Sequence, residues 1–168
     1  MHNFEDLIYR STSFTLSSLE DTNSKIIEAL QTSASTVHVK NLQMIQLQKT
    51  IFAIGMFSMF DAILQDELSC RNGFEGAKKR LKEKQKLELH DRFEDFICAI
   101  NVLKHGEGRS YHTLESKYAN LPFKIKLKGQ SFFEEGDISE INTLIEVDDN
   151  FILNCANLIE TVLIEIRN

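Results

Sequence analysis

The chain is organised around one stretch, Ile100-Asn101-Val102-Leu103-Lys104-His105-Gly106-Glu107-Gly108-Arg109-Ser110-Tyr111. An apolar, helix-periodic segment enters this stretch and ends at Gly106, because glycine readily adopts the positive φ that closes a helix. The side chains after the glycines are hydrogen-bond donors. A helix end that carries a histidine beside such a turn is a plausible catalytic site. Lysine and histidine are also common at ordinary helix C-termini because of the macrodipole, so both interpretations stay open.

The helix that leads into this stretch is predicted over residues 87–104. Its apolar stripe is Leu89, Phe93, Phe96, Ile97, Ile100 and Leu103. A second, more polar line follows at intervals of three or four residues: Asp91, Glu94, Cys98, Asn101 and His105. Asn101 and His105 lie one turn apart on one face, so they are placed to share a hydrogen bond or a ligand. A plain polar surface is the alternative.

Two long helices are predicted before this one, over residues 4–34 and 37–68, with Thr36 as the N-cap of the second. The second helix is apolar on most sides, and Gly55 and Ser58 would let another helix approach it closely. We favour a central core helix over one that also serves an oligomer interface. The lysine-rich run over residues 78–86 is interpreted as a solvated helix face rather than a nucleic-acid patch.

After the glycines, Ser110 is a candidate N-cap of a short helix. Residues 121–128 alternate apolar and basic side chains, which predicts a strand, and residues 141–147 are its expected partner. Asp148 or Asp149 should cap a last helix that reaches Ile166. The pattern predicts a mainly α fold with a small β-hairpin before the C-terminal helix, in a single domain over residues 1–168.

The composition indicates which kinds of protein this chain could be. The 168 residues carry a net charge of −6, which argues against a general polyanion binder. One proline and seven glycines leave long stretches free of helix breakers. The three cysteines lack metal-ligand or disulfide spacing, so we expect free thiols in a reducing cytoplasm. No signal peptide is recognised, and the apolar run 51–64 is too short to span a bilayer, so no membrane association is expected.

The Lys-His-Gly element within residues 101–110, together with the long apolar helix and the late strand pair, resembles the HEPN family of nucleotide-binding domains. The resemblance implies an all-α up-and-down helical bundle that forms a homodimer. Many members are metal-independent ribonucleases in toxin–antitoxin or phage-defence systems. Their motif is an arginine, a polar residue, three further residues and a histidine. Asn101 matches the polar residue and His105 the histidine, but Ile100 stands at the arginine position.

Two functions follow from this resemblance. The first is a non-catalytic module that binds a partner protein or RNA as a dimer, because Ile100 cannot stabilise charge on a transferring phosphate. The alternative is a weak endoribonuclease in which His105 is the general base and Asn101 orients it. The expected RNA- and phosphate-binding residues are Lys104, Arg109, Ser110 and Tyr111. No cofactor or metal is expected, and the Asn101–His105 helix ends are expected near the dimer axis.

Overall fold

The computed structural model describes residues 4–33, 35–130, 132 and 141–168. Six α-helices lie within these residues: α1 (Phe4–Thr32), α2 (Thr36–Glu67), α3 (Gly73–Glu83), α4 (Leu87–His105), α5 (Arg109–Glu115) and α6 (Asp149–Arg167). A 3₁₀ turn follows α5 at Tyr118–Asn120. One hydrophobic cluster contains residues from all six helices. The prediction of a mainly α helical bundle is therefore confirmed.

Helices α1 and α2 form an antiparallel hairpin, since the hydroxyl of Thr12 lies 3.6 Å from the sulfur of Met56. Helix α6 packs against both of them. At its first turn, Asp149 pairs with Lys49 of α2 at 2.6 Å, and at its last turn Arg167 pairs with Glu5 and Glu67. The α6 helix therefore runs along the half of the hairpin that contains the start of α1 and the end of α2. It lies between these two sets of ion pairs.

Helix α4 runs antiparallel to α6. Arg92 donates to Asn154 at 2.9 Å, and the rings of Phe96 and Phe151 lie 5.4 Å apart. Phe96 is nine residues before the end of α4, whereas Phe151 is in the first turn of α6. The end of α4 therefore extends past the start of α6 by about two helical turns.

The start of α3 is pressed against α2 at Gly73. A Cβ atom on Gly73 would lie 2.6 Å from the Cβ of Leu64, which is closer than van der Waals contact allows. The next residue, Phe74, donates its backbone N–H to the carboxylate of Asp61 at 3.1 Å. Glycine is therefore required where the two helices meet.

The predicted β-hairpin is present only as one isolated antiparallel bridge, between Ile125 and Ile145. Two backbone hydrogen bonds accompany it, from Lys126 N to Leu144 O at 2.8 Å and from Glu146 N to Lys124 O at 3.1 Å. Residues 133–140, between the two segments, lie outside the described residues. The apolar side of the alternating pattern packs onto the helices, and the described residues form no longer ladder.

Two predicted caps were wrong. Ser35, not Thr36, caps α2, because its hydroxyl accepts from Val37 N at 3.3 Å. Helix α5 begins after Gly108 without a side-chain cap, and Ser110 is its second residue. In both cases the true cap lies before the predicted cap residue. Serine, threonine and glycine are all favourable N-caps, so the sequence did not distinguish the true cap from a nearby residue.

The prediction of an aspartate cap on α6 was correct: Asp148 accepts from Phe151 N at 2.7 Å. We expect Asp148→Ala to lower the free energy of unfolding by about 1 kcal/mol, because one backbone donor of the first turn loses its partner. Asn150→Ala, an exposed change two residues later, should have almost no effect. Urea denaturation followed by circular dichroism measures both, and equal effects would contradict the capping role.

Among the described helices, α2 alone has the length and apolar composition of a membrane-spanning helix, with a mean hydropathy of 1.3 over its best 18 residues. One third of that window is buried inside the protein. Core helices of soluble proteins meet the same criterion, so composition alone does not separate the two cases. Helices α1, α3, α4 and α6 all pack against α2.

Candidate functional site

The glycine turn ends α4 as the sequence predicted. Gly106 has a φ of +73°, which favours glycine, and its N–H donates to Val102 O at 2.8 Å. Lys104, His105 and Arg109 around this turn are exposed. Within the described part of the chain, none of these three side chains has a hydrogen-bond or ion-pair partner. The end of α4 thus presents two cations and an imidazole to solvent.

Asn101 is half-buried one turn before His105 on the same face of α4. The two side chains form no hydrogen bond with each other, contrary to what the spacing suggested. Ile100 next to them is only 4% exposed and belongs to the central core. The residue at the motif's arginine position therefore points away from the surface that carries His105.

Ser110 and Tyr111 were predicted to contact phosphate, but neither side chain faces solvent. The phenol of Tyr111 is buried, and its hydroxyl donates to Lys126 O at 2.9 Å, which ties α5 to the segment after it. Burial is also the main reason that the pKa of Tyr111 is raised. Ser110 is half-buried and hydrogen-bonds Cys98 of α4. Of the four predicted binding residues, Lys104 and Arg109 face solvent, whereas Ser110 and Tyr111 hold the turn in place.

A second polar cluster, which the sequence analysis missed, joins α4 to the end of α5. Lys117 forms an ion pair with Asp95 and lies close to Cys98. Burial lowers the pKa of Lys117, but the hydrogen bond and charge of Asp95 outweigh it, so the net pKa is raised. Burial raises the pKa of the Cys98 thiol, and the hydrogen bond from Ser110 only partly offsets this. A thiol with a raised pKa is a weak nucleophile, so this cluster is suited to holding α5 on α4.

The lysine-rich run over residues 78–86 is partly neutralised by carboxylates, whereas Arg80 and Lys82 are exposed and have no carboxylate partner among the described residues. Lys78 lies 2.7 Å from Glu75 and 3.6 Å from Glu94, and Lys86 lies 3.0 Å from Glu165. Lys84 donates to the backbone oxygen of Glu165 at 2.5 Å. These pairs favour the interpretation of this run as a solvated helix face.

The three cysteines are free thiols; Cys155 is buried, whereas Cys70 and Cys98 are half-buried. Burial raises the pKa of Cys155 well above its usual value. The described residues contain no group of three or more His, Cys, Asp or Glu side chains that could hold a metal ion. The chemical groups available at the end of α4 and in its glycine turn are therefore one imidazole, one amide, two cations and the carboxylate of Glu107.

Comparison of the chain with family models, curated proteins and solved structures finds no match. The likeness to HEPN domains therefore rests on the residues of the Lys-His-Gly element and on the helical pattern alone.

Proposed function

We propose that this chain is a non-catalytic, HEPN-like module that binds RNA as a homodimer, as a component of a cytoplasmic toxin–antitoxin or phage-defence system. The observation that carries the proposal is the burial of Ile100. A ribonuclease site of this kind needs a cation beside its histidine to stabilise charge on the phosphate. A core isoleucine provides none, so binding without cleavage is the simpler function.

Support for RNA as the partner comes from the exposed cations around the glycine turn. Lys104 and Arg109 have no carboxylate partner among the described residues, unlike Lys78 and Lys86 on the lysine-rich run. Unpaired cations bind phosphates without first breaking an ion pair. The chain's net charge of −6 argues against phosphate contacts over the whole surface and for a local contact of this kind. A partner protein is the other candidate for this surface.

The alternative is a weak, metal-independent endoribonuclease. His105 is exposed and could accept a proton from a ribose 2′-hydroxyl, while Asn101 lies one turn away. Lys104 or Arg109 would then have to replace the missing arginine. General acid–base catalysis alone contributes about 10²–10⁴-fold, so such an enzyme would be slow.

Fluorescence anisotropy with a labelled single-stranded RNA pool tests the proposal. We expect Lys104→Ala and Arg109→Ala each to weaken binding and to reduce the slope of log K against log salt by about 0.7, the effect of losing one phosphate contact. Lys79→Ala on α3 is the matched control and should change neither value, because this exposed lysine already lies 4.0 Å from Glu83. RNA length before and after incubation reports cleavage.

Three results would count against this function. No RNA binding at low salt would reject RNA as the partner. Equal weakening by Lys79→Ala would show that the contact is not at the end of α4. Cleavage that disappears in His105→Ala would establish the ribonuclease alternative instead.

A further inference from the structure

Helix α2 carries a stripe of uncharged side chains that points away from the rest of the protein. We call it the outer stripe, and its residues are Met44, Gln48, Ile51, Gly55, Ser58 and Ala62. All six are exposed, and their spacing alternates between three and four residues, as in a coiled coil. Helices α3 and α4 pack on the other side of α2, where Phe60 contacts Phe74 and Phe93. Nothing in the described chain covers the outer stripe.

The outer stripe is shaped to receive another helix. A Cβ atom on Gly55 would meet no atom within 4 Å, so there is open space above it. The hydroxyl of Ser58 already donates to Ile54 O at 2.9 Å and needs no water. Ile51 is 52% exposed and Met44 41% exposed, which are large fractions for apolar side chains in the middle of a helix. The stripe thus has three large side chains, Met44, Gln48 and Ile51, at one end and three small residues at the other.

We propose that the outer stripe pairs with the outer stripe of a second copy of this chain, antiparallel, about a two-fold axis near residue 53. This register sets Ile51 over Gly55, Met44 over Ala62 and Gln48 over Ser58 of the second copy. Each large side chain then faces a small one, and the same contact occurs twice, as a two-fold interface requires. The proposal supplies the contact surface for the dimer in the proposed function, and it does not depend on RNA binding.

The charges on α2 decide the direction of pairing. Residues 36–60 contain Lys40 and Lys49 but no acidic residue, whereas residues 61–67 contain Asp61, Asp66 and Glu67 but no basic residue. Lys49 and Glu67 are already paired within the protomer, with Asp149 and Arg167. The exposed charges that an antiparallel second copy brings together are Lys40 of one α2 and Asp66 of the other. A parallel copy would bring like charges together. This charge complementarity also favours a second copy over an unrelated helix.

Side chains beside the outer stripe enlarge the contact. Leu7, Phe14, Leu47 and Met59 are between 48% and 74% exposed. Leu7 and Met59 line an apolar groove between α1 and α2, together with Ile51 and Gly55 of the stripe. A stable interface buries about 800 Å² on each partner, which is more than one helix face provides, so these flanking residues are needed.

This arrangement differs from the one that the resemblance implied. Helix α4 packs on the inner side of α2, opposite the outer stripe. A dimer that pairs the outer stripes therefore keeps the two His105 residues away from the axis. Each protomer then presents its own α4 end, and the candidate RNA surface is not built from both chains.

Sedimentation equilibrium at protein concentrations below and above about 20 µM tests whether the outer stripes form a dimer. We expect a dimer whose dissociation constant rises by about 30-fold or more in Ile51→Glu, the effect of losing a central interface residue. The matched control is Leu87→Glu at the start of α4, which is 59% exposed but lies outside the outer stripe, and it should leave the dimer unchanged. A monomeric wild type, or a dimer that Ile51→Glu does not weaken, would overturn the proposal. A monomer that floats with phosphatidylcholine vesicles would overturn it in favour of a lipid surface.

Cysteine cross-linking tests the register. In the proposed dimer, position 48 of one copy faces position 58 of the other, whereas two copies of position 58 are separated by about 15 Å along the helix axis. The double variant Gln48→Cys/Ser58→Cys should therefore form disulfide-linked dimers under mild oxidation, and each single variant should not. Cross-linking in the single variants, or none in the double variant, would overturn the register. RNA binding that persists in monomeric Ile51→Glu would leave the proposed RNA contact intact, so the two proposals fail separately.

Discussion

Replacement of Ile100 by arginine is expected to destabilise the protein strongly rather than to create a ribonuclease. Ile100 is 4% exposed and lies in the same core cluster as Phe93 and Phe96. An unpaired guanidinium in such a site costs several kcal/mol, out of a total stability of about 5–15 kcal/mol for an ordinary domain. For a chain of this length, such a loss lowers the melting temperature by about 10 °C or more.

Ile100→Met is the matched control for this experiment. It keeps an apolar side chain of similar volume and should cost less than about 1.5 kcal/mol. Thermal melts compare the three proteins, and an RNA-cleavage assay is run on each at a temperature where it is folded. An Ile100→Arg protein that melts like Ile100→Met would show that the guanidinium reaches solvent. Cleavage by that protein, lost again on His105→Ala, would reveal a latent nuclease site.

Local patterns predicted most of the helical fold, because they depend on neighbouring residues. The three- and four-residue spacing of Phe93, Phe96 and Ile100 placed the core face of α4 correctly. An aspartate cap at position 148 or 149 was predicted because an aspartate directly before an apolar periodic run has few other roles. The glycine turn at Gly106 was predicted for a similar reason, since its positive φ is a local requirement.

Contacts between distant residues were not predictable in the same way. The ion pair of Lys117 with Asp95 joins residues 22 positions apart, and no spacing rule brings them together. Tyr111 was interpreted as a phosphate contact because it follows the glycines, but tertiary packing buries its ring and uses its hydroxyl. The apolar breadth of α2 was visible in the sequence. Which side would face the core was not, because that depends on where α3, α4 and α6 pack.

A second large effect is expected in the aromatic cluster between α2, α3 and α4. Phe60 is fully buried, and its ring centre lies 5.8 Å from that of Phe93 and 6.2 Å from those of Phe57 and Phe74. Phe60→Ala should lower the free energy of unfolding by about 3–5 kcal/mol, because it removes a buried ring and leaves a cavity. Tyr118→Ala is the matched control, since that ring is 58% exposed and its loss should cost less than about 0.5 kcal/mol.

The same cluster fixes the position of α4 relative to α2, and a double-mutant cycle measures that coupling. Phe60→Ala, Phe93→Ala and the double variant should show a coupling free energy of about 0.5–1.5 kcal/mol, the usual range for a direct aromatic pair. Urea denaturation should be run at protein concentrations low enough that dimerisation does not contribute. Additive effects of the two substitutions would contradict a direct contact between α2 and α4.

RNA binding by folded Phe60→Ala should stay at the wild-type level, because Lys104 and Arg109 lie at and beyond the far end of α4. A loss of binding would show that the aromatic cluster also positions that surface.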